Sequence, residues 1–218
     1  MSEKVQSTEE RLNALLTEAG QQPLDAALAK RFEDYISLFI RWNTRLNLTA
    51  IRDEEGILSR HFVESIACAR ALPSGIETLL DFGSGAGLPG IPIALCRPEI
   101  AVTLAESQGK KAAFLCEAVR VLGIATKVHS GRAETLRAVF DCVTLRAVDR
   151  MELAVHTAAQ LVRPGGWMAL MTTANDLERL KESAGAEFSW ADPERMPGGG
   201  ERLIALGHRA LSAFSDLP

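Results

Sequence analysis

The spacing of apolar residues changes once along the chain, near residue 76. Before that point apolar positions recur every three or four residues, which predicts helices over residues 8–19, 24–42 and 60–71. After it, short apolar runs alternate with helical patterns, as in a sheet whose parallel strands are joined by helices. The predicted strands span residues 78–82, 101–105, 126–129, 142–145, 167–171, 187–191 and 203–207. The predicted helices between them span residues 91–95, 110–122, 152–161 and 175–184.

This change of period predicts an α/β fold of the Rossmann-like type, with a mostly parallel sheet flanked by helices. The first third of the chain carries no strand signal. We therefore predict that residues 1–72 form an N-terminal helical cap and residues 73–218 form the core, as one compact unit. Such a cap packs on the core or reaches over its site.

The first predicted strand runs into a glycine-rich loop, Asp81-x-Gly83-x-Gly85-x-Gly87 followed by Leu88-Pro89-Gly90. Glycine turns at positive φ and lets a ligand lie against the backbone, and open α/β sheets bind nucleotides at such loops. The spacing also fits a dinucleotide fingerprint, but Asp81 would repel a pyrophosphate at the helix N-terminus. S-adenosylmethionine carries an ammonium and a sulfonium instead of phosphates. The acid therefore favours this cofactor.

Two later positions support a nucleoside ligand. Glu106 ends the second predicted strand, where a carboxylate can accept both ribose hydroxyls; a solvated acid is the alternative. The segment Gly131-Arg132-Ala133-Glu134 follows the third predicted strand and lies beside the same crevice. Its backbone and its carboxylate could address an adenine edge.

The composition limits the classes of protein to which this chain can belong. The chain has 218 residues and is 47% hydrophobic, which suits one medium-sized domain. No apolar run approaches the roughly 20 residues needed to cross a bilayer, and the first residues lack the pattern of a signal peptide. We therefore expect a cytoplasmic location and no membrane partner.

The cysteines are widely spaced among apolar neighbours, which predicts buried thiols, no disulfide framework and no metal site. They are Cys68, Cys96, Cys116 and Cys142.

The formal net charge of −4 argues against a generic nucleic-acid coat but leaves room for a local basic face. Residues 97–137 hold more basic than acidic side chains. Solvated helix faces explain this excess equally well.

Two segments before the sheet have open interpretations. The segment Arg41–Thr49 is rich in asparagine and arginine and contains a tryptophan. It is either a substrate-facing surface or a set of loop-capping asparagines. His61 and Glu64 are either a catalytic pair or, the favoured interpretation, a local salt bridge or capping pair.

Taken together, these segments resemble the bacterial glucose-inhibited division protein B family of class I S-adenosylmethionine-dependent methyltransferases. That family methylates guanine N7 in small-subunit (16S) ribosomal RNA. The motifs that carry the resemblance are Trp42-Asn43…Asn47-Leu48-Thr49, Arg60-His61-Phe62-x-Glu64-Ser65, Asp81-x-Gly83-Ser84-Gly85-Ala86-Gly87-Leu88-Pro89-Gly90-Ile91-Pro92, Glu106-Ser107-x-x-Lys110-Lys111 and Arg146-Ala147.

The resemblance implies a methyltransferase sheet with an antiparallel last strand, a monomer, and ribosomal RNA or the assembling small subunit as partner. It implies cofactor contacts at Gly83, Leu88, Ala133, Glu134 and Arg146. Asp81, Gly85, Gly87 and Glu106 complete the predicted cofactor site. The predicted RNA-binding residues are Arg45, Asn47, Arg60, His61, Lys110 and Lys111.

Guanine N7 has a free lone pair, so its methylation needs no general base and relies on positioning. We expect Arg146, at the end of the fourth predicted strand, to act as the catalytic residue by positioning the cofactor or the guanine O6 edge. A surface salt bridge is the alternative role for this arginine.

The chain departs from the family pattern at three places. Val148-Asp149 follow the Arg-Ala pair where the family has an aromatic, Met171-Thr172 stand where it has lysine and glycine, and the tail at residues 207–210 is less basic. Three other functions stay open at this point. The acidic pI near 5.7 suggests a small-molecule methyltransferase, Met171 suggests a non-catalytic RNA-binding or assembly factor, and the glycine spacing alone would allow a nicotinamide oxidoreductase.

Overall fold

A computed structural model describes residues 6–198 and 200–211. In this part of the chain eight strands form one sheet in the order β3-β2-β1-β4-β5-β8-β6, with β7 paired to β8. The strands are β1 (Thr78–Phe82), β2 (Ala101–Ala105), β3 (Lys127–His129), β4 (Phe140–Arg146), β5 (Val162–Thr173), β6 (Phe188–Trp190), β7 (Glu194–Arg195) and β8 (Arg202–Arg209). Strands β1 to β5 pair in parallel, and β8 pairs antiparallel with β5, β6 and β7. The predicted fold class is confirmed.

The helices are α1 (Thr8–Glu18), α2 (Ala26–Leu46), α3 (Glu54–Ile57), α4 (Glu64–Ala71), α5 (Gly90–Cys96), α6 (Gly109–Leu122), α7 (Met151–Ala159) and α8 (Ala174–Ala184). A π-helical segment, Leu58–Val63, joins α3 to α4, and a short 3₁₀ turn covers Ala133–Thr135. Ser7 and Glu10 form a capping box that starts α1, and Asn47 ends α2 in the left-handed conformation. None of the described helices is long and apolar enough to span a membrane.

Two apolar layers cover the sheet. One contains cap residues such as Phe32, Phe39 and Phe62 together with Leu79 of β1 and Phe114 of α6. The cap therefore shares its apolar core with one face of the sheet. The other layer packs the buried sides of α7 and α8 on the opposite face. Because both faces are covered, the parallel strands are buried along most of their length, as the near-continuous apolar run of β1 indicates.

The structure corrects several predicted boundaries. Strand β5 begins at Val162, five residues earlier than expected, and includes Pro164–Gly166, which looked like a turn. The ladder explains this: Phe140 pairs with Val162 and Cys142 with Trp167, so the residues between them bulge out of register. Helix α2 continues to Leu46, four residues beyond its predicted end, and includes much of the polar segment Arg41–Thr49.

Two other expectations were wrong. The helix expected from residue 60 begins at Glu54, because the π-helical segment continues α3 into α4 without a break. Strand β7 was missed because two exposed residues carry no apolar pattern. Among the cysteines, Cys68 and Cys142 are buried as expected, whereas Cys96 is half-buried and Cys116 is exposed on α6.

Candidate active site

The glycine-rich loop leaves β1 at the carboxyl edge of the sheet and crosses to α5. Gly83, Gly85 and Gly87 have φ values of 70°, 56° and 82°, in the left-handed region that favours glycine. A Cβ on Gly87 would lie 2.5 Å from Ile91 Cδ1, so this residue packs against α5. The Ser84 N–H donates to the Ala105 carbonyl of β2 (2.9 Å), which ties the loop to the neighbouring strand.

Asp81 lies beneath this loop, and its side chain is buried. Its Oδ2 accepts from the N–H of Gly90, the first residue of α5 (3.2 Å), and its Oδ1 accepts from Thr144 Oγ1 (2.9 Å). Burial raises the pKa of Asp81 to about 6. The carboxylate thus occupies the helix N-terminus where a dinucleotide would place its pyrophosphate. This geometry fits a cofactor without phosphates, and it shows that Asp81 supports the loop from below instead of lining the crevice.

Glu106 connects the glycine loop to the turn after β2. Its Oε2 accepts from the Gly85 N–H (2.9 Å) and its Oε1 from the Gln108 N–H (2.7 Å). The side chain also lines the crevice. Because each carboxylate oxygen has more than one lone pair, Glu106 retains the capacity to accept a ribose hydroxyl.

The crevice above the strand ends has two lobes with volumes of about 540 and 370 Å³. Gly83, Ser107, Val148 and Asp149 line both lobes. The larger lobe is also lined by Ala133 and Glu134, the residues predicted to lie at the adenine edge. The smaller lobe is lined by Gly85, Leu88, Glu106, Lys111 and Arg146 from the core and by Phe39, Leu48 and His61 from the cap. Together the lobes offer both apolar and polar walls, as a nucleoside joined to an amino acid needs.

Arg146, at the end of β4, is held by the cap. Its Nη1 donates to Ser65 Oγ (3.2 Å), and its Nη2 donates to Glu64 Oε2 (3.1 Å) and to the Arg60 carbonyl. Only 14% of its side chain is exposed, so the alternative of a surface salt bridge is wrong. Arg146 thus sits in a buried junction between cap and core while it lines the smaller lobe.

Glu64 is the anion of this junction and is 1% exposed. Besides Arg146, it accepts from Arg202 Nε of β8 (2.5 Å) and lies 3.6 Å from Arg60 Nε. Burial raises the pKa of Glu64, and the three arginines oppose that shift. We call Glu64, Arg60, Arg146 and Arg202 the arginine junction.

His61 is linked to Glu64 through Arg146, so the predicted direct pair of the two side chains is wrong. A guanidinium only donates, so His61 Nδ1 is the acceptor in its contact with Arg146 Nη2 (3.3 Å), where it shares the two Nη2 hydrogens with Glu64 and the Arg60 carbonyl. The ring proton therefore lies on Nε2 and is donated to Thr49 Oγ1 (2.7 Å). Burial, with the charges of Arg146 and Arg60, lowers the pKa of His61 to about 3. This histidine is neutral, and both of its nitrogens are bonded within the protein.

Of the other residues predicted to bind RNA, Lys111 lines the smaller lobe, whereas Arg45, Asn47 and Lys110 are not among the residues that line either lobe. Arg45 and Lys110 are exposed, and Lys111 is half-buried in the lobe wall. Asn47 caps α2 and accepts from Arg52 Nη2 (3.1 Å), and Asn43 Oδ1 accepts from the Thr49 N–H (3.0 Å). The side-chain-to-backbone alternative is therefore correct for Asn43, whereas Asn47 caps α2 through its left-handed backbone and its side chain binds Arg52.

Sequence reasoning missed several residues of the site. Phe39 and Leu48 line the smaller lobe, and Tyr35 Oη donates to the Ala86 carbonyl of the glycine loop (2.5 Å). The spacing of Tyr35 and Phe39 predicts only an apolar helix face, so no local signal distinguishes them from core residues, and Leu48 was noted only as part of a family motif. Arg202 gave no signal either, because its partner Glu64 is 138 residues away.

The fold is that of the Rossmann-like methyltransferases. The structure is similar to a methyltransferase from Pyrococcus furiosus, with a TM-score of 0.62 and 14% identity over 84% of this chain and 100% of that chain. It is also similar to a SAM-dependent O-methyltransferase from Thermotoga maritima, with a TM-score of 0.57 and 13% identity over 80% of this chain and 72% of that one. At such identities the likeness concerns the fold.

Comparison of the amino-acid sequence with known proteins establishes the family. Residues 28–202 match the family model described as rRNA small subunit methyltransferase G. Proteins named ribosomal RNA small subunit methyltransferase G from Xanthomonas campestris (strain 8004) and Stenotrophomonas maltophilia (strain K279a) are 39% and 42% identical. These alignments cover 86% and 83% of this chain and 90% and 87% of the relatives. The chain belongs to the rRNA small subunit methyltransferase G family and is an enzyme that uses S-adenosylmethionine, as the resemblance implied.

Proposed function

We propose that this protein transfers the methyl group of S-adenosylmethionine to N7 of a guanine in small-subunit (16S) ribosomal RNA. The names of the relatives support the RNA substrate. The observation that favours N7 as the methylated atom is the charge and hydrogen bonding of His61, in the wall of the smaller lobe. This ring is neutral, and both of its nitrogens are already bonded. An acceptor that has a free lone pair and no proton to lose matches such a site.

Bound S-adenosylmethionine supplies an electrophilic methyl on a sulfonium, and the chain supplies the positioning. Gly83 and Gly85 let the backbone approach the cofactor closely, and Glu106 accepts its ribose hydroxyls. Ala133 and Glu134 hold the adenine edge in the larger lobe. Leu88 packs beside the smaller lobe, where Arg146 orients the reacting groups. Alignment of this kind can contribute on the order of 7–11 kcal/mol to catalysis without any proton transfer.

The RNA contacts follow from cations in the wall of the smaller lobe and on the exposed surfaces of α2 and α6. Arg45, Lys110 and Lys111 present cations to RNA phosphates, and Arg60 does so from the exposed side of the arginine junction. Asn47 and His61 are uncharged, and they contribute to the RNA contact through their place in the cap. The target base leaves its stack to reach the methyl, at a cost of a few kcal/mol.

We also propose that residues 1–72 and 73–218 act as cap and core of one unit, a monomer in the cytoplasm. The apolar cluster that joins Phe32 and Phe39 to Leu79 supports this division into two parts of one body. Such a cap can present RNA to the crevice without forming a separate domain.

The test is mass-spectrometric mapping of methylated nucleosides in small-subunit RNA, incubated with the protein and labelled S-adenosylmethionine. We expect 7-methylguanosine at one position. Glu106→Gln should weaken cofactor binding about tenfold, because an amide cannot accept from both the Gly85 and the Gln108 N–H groups. Glu117→Gln is the matched control, since Glu117 pairs with Arg120 on α6 and is not among the residues that line either lobe. No incorporation into naked RNA or assembling subunits would refute the proposal.

A further inference from the structure

A third cavity, of about 310 Å³, lies beside the smaller lobe of the cofactor crevice. The two share Arg146 and Ala147 in their walls. A methyl acceptor must come within bonding distance of the sulfonium methyl, so the space that holds it must open onto the cofactor crevice. This cavity lies next to the crevice, separated from the smaller lobe by the two residues that they share. We call it the β4–α8 cavity.

The lining of the β4–α8 cavity suits a planar base with polar edges. Met151, Met171 and Met196 supply flexible, polarizable apolar surface that can pack against a ring face. The replacement of the family's lysine by Met171 therefore adds to an apolar wall. The polar lining consists of Thr172, Thr173, Asp176 and the arginine junction.

The charges favour guanine over adenine. Guanine accepts at O6 and N7 and donates from N1 and N2, whereas adenine has a donor at N6 and an acceptor at N1. The guanidinium groups of Arg146 and Arg202 can donate to O6. The carboxylate of Asp176 can accept from the N1–H and the N2 amino group. Adenine in the same orientation, with N7 toward the cofactor, would place its N6 donor against the arginines and its N1 acceptor against Asp176.

Asp176 is held in place before any base arrives. Its Oδ2 accepts from Thr173 Oγ1 (2.8 Å) and its Oδ1 from Arg179 Nη2 (2.7 Å). Each oxygen keeps lone-pair capacity for a second donor, and the side chain is 44% exposed. An oriented carboxylate in the wall of an acceptor cavity is a means of selecting a base.

We propose that the β4–α8 cavity seats the acceptor guanine and that Asp176 determines base specificity by accepting from its N1–H and N2 amino group. This inference rests on the proposed function and assigns the base-recognising residue within it. Methyl transfer then proceeds from the sulfonium to N7: the N7–C bond forms as the S–C bond breaks, and the electron pair of that bond stays on the sulfur. Asp176 takes no proton in this step.

The experiment measures methyl transfer to a short RNA that carries the mapped target guanine, and to the same RNA with inosine at that position. Inosine lacks the N2 amino group but keeps N1–H, O6 and N7. The wild type should prefer guanosine about tenfold in kcat/KM, because one hydrogen bond to a charged acceptor is lost. Asp176→Ala should bring this ratio close to one. Glu178→Ala, on the exposed side of the same helix, should keep the wild-type ratio.

A second pair of variants tests the cavity independently of Asp176. Met151→Trp fills the space and should lower transfer at least tenfold while cofactor affinity, measured by calorimetry, stays unchanged. His156→Trp, on an exposed position of α7, is the control. Equal rates on guanosine and inosine with the wild type, an unchanged ratio in Asp176→Ala, or full transfer by Met151→Trp would each overturn the inference while leaving the proposed function intact. No transfer to the guanosine RNA by the wild type would overturn both.

Discussion

Two buried carboxylates support the crevice from different sides, and each is 1% exposed. Asp81 lies beneath the glycine loop and is bonded to neutral donors, the Thr144 hydroxyl and the Gly90 N–H. Glu64 lies at the contact between cap and core, and its partners are the guanidinium groups of the arginine junction.

The difference shows how one enzyme uses buried charge in two ways. Because the partners of Asp81 are neutral, they offset little of the free-energy cost of burying its charge. The pKa of Asp81 therefore rises to about 6. The arginines around Glu64 offset much of that cost, and they come from three separate elements of the chain. Asp81 therefore organises one loop, whereas Glu64 connects the π-helical segment, β4 and β8.

The largest effect should come from breaking the arginine junction. Glu64→Ala leaves Arg146 and Arg202 without their buried counter-ion, and removal of one partner from such a set typically costs about 3–5 kcal/mol. Urea unfolding monitored by tryptophan fluorescence measures the loss. Glu54→Ala is the control, because Glu54 pairs with Arg11 at the surface and should contribute less than about 1 kcal/mol. Equal losses in the two variants would contradict a structural role for the junction.

A smaller, pH-dependent effect should come from Asp81. Its pKa is higher in the folded chain than the ordinary 3.8, so the folded state binds the proton more tightly and loses stability as pH rises from 3.8 to about 6. That shift corresponds to about 3 kcal/mol. Asp81→Asn lacks this dependence. The free energy of unfolding of the wild type, relative to that of Asp81→Asn, should therefore fall by about 3 kcal/mol as the pH rises from roughly 3.5 to 7. A constant difference across that range would show that Asp81 is ionised as easily as in the unfolded chain.

The smallest effect should come from the one direct hydrogen bond between α2 and the glycine loop. Tyr35→Phe removes the donor to the Ala86 carbonyl and leaves the aromatic packing on Phe62 in place. A neutral hydrogen bond of this kind contributes about 1 kcal/mol to stability. Urea unfolding and calorimetry with S-adenosylmethionine should both show a modest loss. A loss above about 3 kcal/mol would place this contact alongside the arginine junction.

The regular elements follow largely from local pattern. Strands β1 and β2 have the predicted bounds, residues 78–82 and 101–105, because each is a short buried run between turn residues. Prediction failed where pairing decides the boundary, as in β5, whose first residues join the sheet across a bulge. It failed also at β7, where two exposed residues become a strand because β8 lies beside them.

The sequence by itself determined the class of fold, the glycine loop and the family, since periodicity, turn residues and motif spacing are properties of neighbouring positions. It also determined that Asp81, Glu106 and Arg146 stand at strand ends. The tertiary structure decided what these groups do. Thr144 reaches Asp81 across 63 residues and Arg202 reaches Glu64 across 138, because parallel pairing and the closing β8 strand bring distant segments to one edge of the sheet. Hydrogen-bond partners and burial set the charge of a side chain, and neither is encoded in its local spacing.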